Sequence, residues 1–236
     1  MRGCGLLPGI LASLALSAVA SAAPVGTLDV AGLGNARISN GGIDFGPLGG
    51  GTGNLVVTAG DGSFSVLALG SPGLITDLSF ATTTPGPPLV SPMTPFLLAP
   101  VAGTTFVLDL RQIALGGGPP CTAPPGVGGS CSPTEIVPNT PFLLTQKQGG
   151  VAISFSVNGF VTDLRDGSSA PYTGLFTMNL TRASNDTIPE ILAALAPAGP
   201  GFVESSWSAE FTVVPEPGTV ALLGFGLFAL ALRRAR

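Results

Sequence analysis

Apolar and polar residues alternate with a period of two through most of the middle of this chain, a pattern that suits strands with one buried face and does not suit amphipathic helices. Between 151 and 158, Val151, Ile153, Phe155 and Val157 fall on one side and Ala152, Ser154, Ser156 and Asn158 on the other. From Thr105 to Gln112, Phe106, Leu108 and Leu110 oppose Asp109 and Arg111. From Gly174 to Leu180, Phe176, Met178 and Leu180 oppose Leu175, Thr177 and Asn179. The last segment sets Val203, Trp207, Phe211 and Val213 against Glu204, Ser206, Ser208 and Glu210. Weaker strands are predicted at Ala36 to Ser39, Leu55 to Thr58, Ser63 to Leu69 and Leu74 to Phe80, separated by turns such as Gly60-Asp61-Gly62.

Strands with one apolar face must bury it against a second sheet or inside a closed barrel. The expected fold class is all-β: an antiparallel, jelly-roll-like β-sandwich with one short helix. Thr187-Ile188-Pro189-Glu190 has the form of a capping box, with Pro189 in the first turn, where its missing N–H loses nothing. Ile191, Leu192 and Leu195 give that helix an apolar stripe, and Pro197 ends it. It is expected to plug one end of the sandwich. Thr94-Pro95-Phe96-Leu97-Leu98 recurs as Thr140-Pro141-Phe142-Leu143-Leu144, each ahead of a strongly alternating strand. Either a pseudo-repeat or coincidence explains the pair; two copies do not make a solenoid.

The chain opens on Met1-Arg2-Gly3-Cys4, followed by an apolar run from Ile10 to Ala20 and small residues through Ala23. A short positive start, an apolar run and Ala-x-Ala sites form a secretory signal peptide, assigned to 1–23, with cleavage near Ser21 to Pro24. Such a signal sends the chain through the Sec translocon to signal peptidase. The remaining cysteines, Cys121 and Cys131, lie in a Gly/Pro-rich loop and form an even pair bound for an oxidising compartment, so a disulfide is expected.

The domain proper is assigned to 24–214. It holds 12 of the 13 acids and 5 of the 9 basic residues, a net charge of −7 that argues against a nucleic-acid partner. No histidine occurs, so a Ser-His or Cys-His dyad cannot form, and neither a nucleophile elbow nor a phosphate-binding loop is present. Asp163 with Asp166, or Glu204 with Glu210, could be nominated as an acid pair for glycoside hydrolysis. Each stands where a turn or a soluble strand face carries acids anyway, so the chain is not expected to be an enzyme. No cofactor or metal is expected; Asp61, Asp163 and Asp166 lack calcium-loop spacing and read as solvated turns. Trp207 is expected in the core, and Tyr172 is the one aromatic with a polar tip in a turn-like setting, within Ser168-Ser169-Ala170-Pro171-Tyr172-Thr173.

The end reads Val214-Pro215-Glu216-Pro217, an apolar stretch over 218–232, then Arg233-Arg234-Ala235-Arg236. As a helix, 218–232 would span roughly 22 Å, short for a bilayer core of about 30 Å, though thinning and snorkelling arginines accommodate it. The arginines belong on the cytoplasmic side by the positive-inside rule. The Pro-Glu-Pro motif, short apolar segment and terminal arginines resemble the sorting signal of bacterial PEP-CTERM proteins. The resemblance covers 214–236 and implies recognition of Pro215, Glu216 and Pro217 by an exosortase, a membrane enzyme thought to cleave near the motif. It implies a transient anchor over 218–232 within the tail 215–236, and a mature form at the cell surface or outside the cell. It also implies a host that makes extracellular polysaccharide. The expected function is a structural or interaction role there; the alternative is a carbohydrate-binding module.

Overall fold

The computed structural model describes residues 23–46, 51–100, 103, 105–180 and 187–214. Of the expected signal peptide, 1–23, only Ala23 is described; the motif residues Pro215, Glu216 and Pro217, and the expected membrane segment 218–232 with Arg233, Arg234 and Arg236, lie outside these residues. No helix among the described residues is long and apolar enough to cross a membrane.

Thirteen strands follow the chain. They are β1 (Thr27–Ser39), β2 (Gly42–Asp44), β3 (Thr52–Gly60), β4 (Pro72–Thr76), β5 (Leu78–Ser79), β6 (Met93–Ala99) and β7 (Phe106–Leu110). After them come β8 (Gln112–Ile113), β9 (Ser130–Cys131), β10 (Leu143–Lys147), β11 (Gly150–Asp163), β12 (Ser169–Leu180) and β13 (Phe202–Val213). The helix α1 (Ile188–Leu195) lies between β12 and β13.

These strands close on themselves. Antiparallel pairing runs from β1 through β3, β4, β6, β7, β11, β12 and β13 back to β1. The result is an antiparallel β-barrel, and the expected sandwich is corrected to that extent. Period-two alternation reports one buried face; it carries no information about which strands are neighbours, so the two architectures read alike in sequence.

Closure is complete at one end only. The long strands β1, β13, β12 and β11 form a continuous sheet over the whole length. At the end holding Thr27, Val213, Ser169 and Asp163, its flanks pair with β3 and β7, which β4 and β6 join into the ring. Further along, β1 exchanges β3 for β2, and β11 exchanges β7 for β8 and then β10. At this second end the sheet splays into two flaps, β2–β5 and β10–β9. A bulge between Ala31 and Asn35 in β1 marks the exchange on that side.

Aromatic side chains fill the interior. Phe176 is the centre, stacked on Phe155 at 4.5 Å and touching Phe45, Phe96, Trp207 and Phe211 at 5.6–6.1 Å between ring centroids. Trp207 is buried as its alternation requires. Its indole N–H finds no partner among the described residues, so packing alone holds it. Gly32 makes room for it: a Cβ there would lie 2.1 Å from the indole nitrogen.

Four expectations change. Ser63 to Leu69 is not a strand but a 3-10 turn over Gly62–Val66, which drops Phe64 onto Phe106 at 4.7 Å. Leu74 to Phe80 breaks at Asp77, whose carboxylate accepts the N–H groups of Phe45 (2.8 Å) and Gly51 (3.0 Å). The Ala36–Ser39 strand begins at Thr27, its first half hidden in sequence by the glycines of the bulge. Tyr172 is not in a loop: it lies in β12, 2% exposed, and its hydroxyl donates to the Asp109 carbonyl at 2.7 Å. Pro171 precedes it in the strand. It is tolerated because pairing with β13 begins only at Tyr172.

The helix forms with its capping box, the Thr187 N–H donating to the Glu190 carboxylate at 3.0 Å. Ile188, Ile191 and Leu195 join the core at the splayed end, where α1 packs against β13 and β10. The repeated Thr-Pro-Phe-Leu-Leu segments enter matching hairpins, β6–β7 and β10–β11. Cys121 and Cys131 are joined by a disulfide that ties the Gly/Pro-rich loop to β9 and, through Leu144, to β10.

Candidate functional site

At the closed end the chain enters and leaves the barrel side by side. Thr27 of β1 pairs with Thr212 of β13, so residues that follow the signal peptide lie beside those that precede the tail. Val213 donates its N–H to the Gly26 carbonyl at 3.0 Å, and Val214 to the Pro171 carbonyl at 2.8 Å. Val213 is 4% exposed. The barrel therefore runs without a linker into Pro215.

The entering segment is pinned from the other side by the turn after β3. Asp61 accepts the Thr27 N–H on its carboxylate and donates its own N–H to the Thr27 carbonyl at 3.0 Å. Ser63 donates its N–H to the Val25 carbonyl at 2.8 Å, and its hydroxyl accepts the Val25 N–H at 3.1 Å. Gly62 adopts φ +54°, and a Cβ there would meet the Val25 carbonyl at 2.3 Å, so only glycine fits. Asp61, read from sequence as a solvated turn acid, is thus a clasp on the start of β1.

Of the nominated acid pairs, Asp163 and Asp166 lie in one turn, near enough for Asp166 to oppose the ionisation of Asp163, whereas Glu204 and Glu210 are held apart along one strand. Asp163 is buried and bonded through both oxygens to Arg165, which holds its carboxyl below the usual carboxylate range. Asp166 accepts the Ser168 N–H at 2.9 Å and shapes the same turn. Glu204 is bonded to Arg37 at 2.6 Å. Glu210 lies six residues along the same strand, roughly 20 Å away. Among the described residues no group of three or more His, Cys, Asp or Glu side chains is placed to hold a metal ion.

Two features were missed by reading strands singly. Asp29 stands directly opposite Glu210, with Asp61 nearby. Desolvation first, then those two negative charges, raise its carboxyl above the ordinary aspartate value. The second is a row across the outer surface: Gln112, Asn158, Thr173, Thr212 and Thr27 are consecutive register partners. Thr173 donates to Asn158 at 3.1 Å, and Asn158 donates to Gln112 at 3.4 Å. At about 4.8 Å per strand, this uncharged row spans roughly 19 Å. Alternation marks Asn158 and Thr212 as outward-facing, but Gln112 shares the parity of Leu110 and Thr27 lies outside the predicted strands, so only the register reveals the row.

Residues 213–235 match the PEP-CTERM protein-sorting motif. The chain carries an exosortase sorting signal. The motif indicates an exosortase-sorted extracellular protein, exported and held by a C-terminal membrane anchor before cleavage. Its first matched residue, Val213, is the last residue of β13. No curated protein and no solved structure matches the chain.

Proposed function

We propose that this PEP-CTERM protein acts, after processing, as a non-enzymatic structural or interaction component of the cell surface or extracellular matrix. The observation that carries the reading is the direct passage of a closed, aromatic-filled barrel into the sorting motif at Val213. A barrel whose interior is occupied by Phe176 and its neighbours presents only its outer surface to partners. In this reading the Sec translocon and signal peptidase act first, on 1–23. Exosortase then recognises Pro215, Glu216 and Pro217 while Arg233, Arg234 and Arg236 remain on the cytoplasmic side. Mass spectrometry of protein recovered outside the cell should find an N-terminus between Ser21 and Pro24 and no residues beyond the motif. Intact Arg236 on the mature surface form would refute the processing.

A second reading, binding of extracellular polysaccharide, is favoured by the Gln112-Asn158-Thr173-Thr212-Thr27 row. Hydroxyls and amides without charge match the hydroxyls of a neutral glycan, and the net charge of −7 over 24–214 disfavours polyanions. Co-sedimentation with the host's polysaccharide tests it. Binding that is lost on combining Thr27→Val, Thr173→Val and Thr212→Val would support this reading; no binding by the native barrel would remove it.

A further inference from the structure

We propose that the closed end of the barrel is a membrane-docking face, seated on the lipid surface for as long as the tail remains inserted. The proposal rests on the sorting reading for the existence of the anchor, and on the barrel itself for the face.

Two independent observations meet at this end. The first is reach. Val214 is still hydrogen-bonded to the barrel, and the apolar stretch begins at Gly218. Four residues span at most about 14 Å even when fully extended. The headgroup layer on each side of a bilayer is roughly 5–7 Å thick, so the tail holds this end no more than about 7–9 Å from the outer edge of the headgroups.

The second is what this end exposes. Among the described residues, ten large apolar side chains are exposed, and five of them belong to this end: Val25, Val66, Leu69, Leu164 and Val214. They come from four separate segments, the start of the chain before β1, the β3–β4 connection, the β11–β12 turn and the exit from β13. Leu69 is 74% exposed and Val66 55%, although the same connection buries Phe64 completely. The local fold thus takes Phe64 and Leu67 inward and leaves Val66 and Leu69 facing out. Of the charged groups at this end, Asp163 is paired with Arg165, Asp61 and Asp166 keep their charge while accepting the N–H groups of Thr27 and Ser168, and Asp29 and Glu210 stand on the barrel wall two residues in from Thr27 and Thr212. An apolar rim around a membrane-bound tail fits the headgroup–acyl boundary, where exposed Leu and Val side chains gain by leaving water. The occupant is therefore lipid, not a second protein.

Fluorescence quenching tests this on the full-length chain after signal removal, reconstituted in phosphatidylethanolamine–phosphatidylglycerol vesicles. An environment-sensitive fluorophore is placed in turn at Val66→Cys and Leu164→Cys, and at Val90→Cys and Val127→Cys on connections at the splayed end. Spin-labelled lipid carrying its nitroxide near the headgroup should quench the first two at least about threefold more than the last two, since that label reaches only the boundary layer. Flotation with the vesicles, but equal or no quenching at the two ends, would overturn the docking face and leave the anchor standing. A chain that fails to float would overturn both.

Discussion

At the end where β13 stops, every long strand finds a ring neighbour, and Phe64 closes the interior against Phe106. At the other end the same four long strands run on past β3 and β7, and their flanks are covered by two-stranded flaps, a disulfide and a helix. One end is finished by closure and the other by add-on pieces. Closure leaves no strand edge to template association, and it holds Val213 and Val214 rigidly where the chain must be presented to a membrane enzyme. The flapped end carries no such constraint, and there the chain holds its long Gly/Pro-rich loop. The difference separates a presenting end from an end free to vary.

The largest expected effect tests whether the two ends share one core. Trp207→Ala removes a ring that touches both Phe45 and Phe176, and should destabilise the barrel by about 3–5 kcal/mol. Circular dichroism in denaturant should show a single transition shifted to much lower midpoint. Two separated transitions would show that the ends unfold independently. Because the indole N–H has no partner among the described residues, Trp207→Phe should cost well under half as much.

Removing the disulfide with paired Cys121→Ser and Cys131→Ser should cost about 2.5–3 kcal/mol on the chain-entropy account. Hydrogen exchange should then show lost protection in β9 and β10 with β13 and β1 unchanged at Thr27 and Thr212. Equal loss at both ends would erase the distinction between them.

Tyr172→Phe should cost about 0.5–1.5 kcal/mol by leaving the Asp109 carbonyl without its donor, with the ring still packed on Phe211. A thermal melt reads it directly, and no change at all would contradict the buried hydrogen bond.

The smallest effect is electrostatic and belongs to the closed end. Asp29→Asn relieves a directly opposed pair of like charges and should stabilise by about 0.2–1 kcal/mol near neutral pH. Asp29 has a raised carboxyl pKa in the folded barrel, so the folded state binds its proton more tightly than the unfolded chain does. Native stability should therefore fall as pH rises through the window from the ordinary aspartate value to the raised one, and Asp29→Asn should lose that dependence. Asp163, held low by Arg165, works in the opposite sense: its contribution is present above the ordinary aspartate value and lost as pH falls below it. Denaturation midpoints measured across the acid range separate the two.

Strand faces were legible wherever alternation ran unbroken. Val151 to Val157, Phe106 to Leu110 and Val203 to Val213 bury the residues that their parity selects, because burial on a pleated strand is a local, period-two property. Reading failed where a local signal was overridden. The segment before Ala36 falls outside the predicted strand; it is the first half of β1, with a bulge, and Gly32 there admits Trp207. Tyr172 was expected in a turn-like setting, but β12 begins at Ser169 and takes it into the core. Ser63 to Leu69 is apolar enough for a strand, but it buries Phe64 and Leu67, three residues apart, and a short 3-10 turn brings both inward where an alternating strand would not.

By itself the sequence determined the address of this protein, since Pro215-Glu216-Pro217, the apolar stretch and the terminal arginines form a contiguous signal that needs no fold to be recognised. It also determined the all-β class, the inward faces of the best strands, the capped helix and the cysteine pair, all of which are set within a few residues of chain. Tertiary structure alone decided that the sheet closes, that Asp29 meets Glu210, that Gln112 to Thr27 form one row, and that five exposed apolar side chains gather where the tail leaves. Each of these depends on register between strands far apart in sequence. Alternation constrains the face of a residue, and only pairing chooses its neighbours.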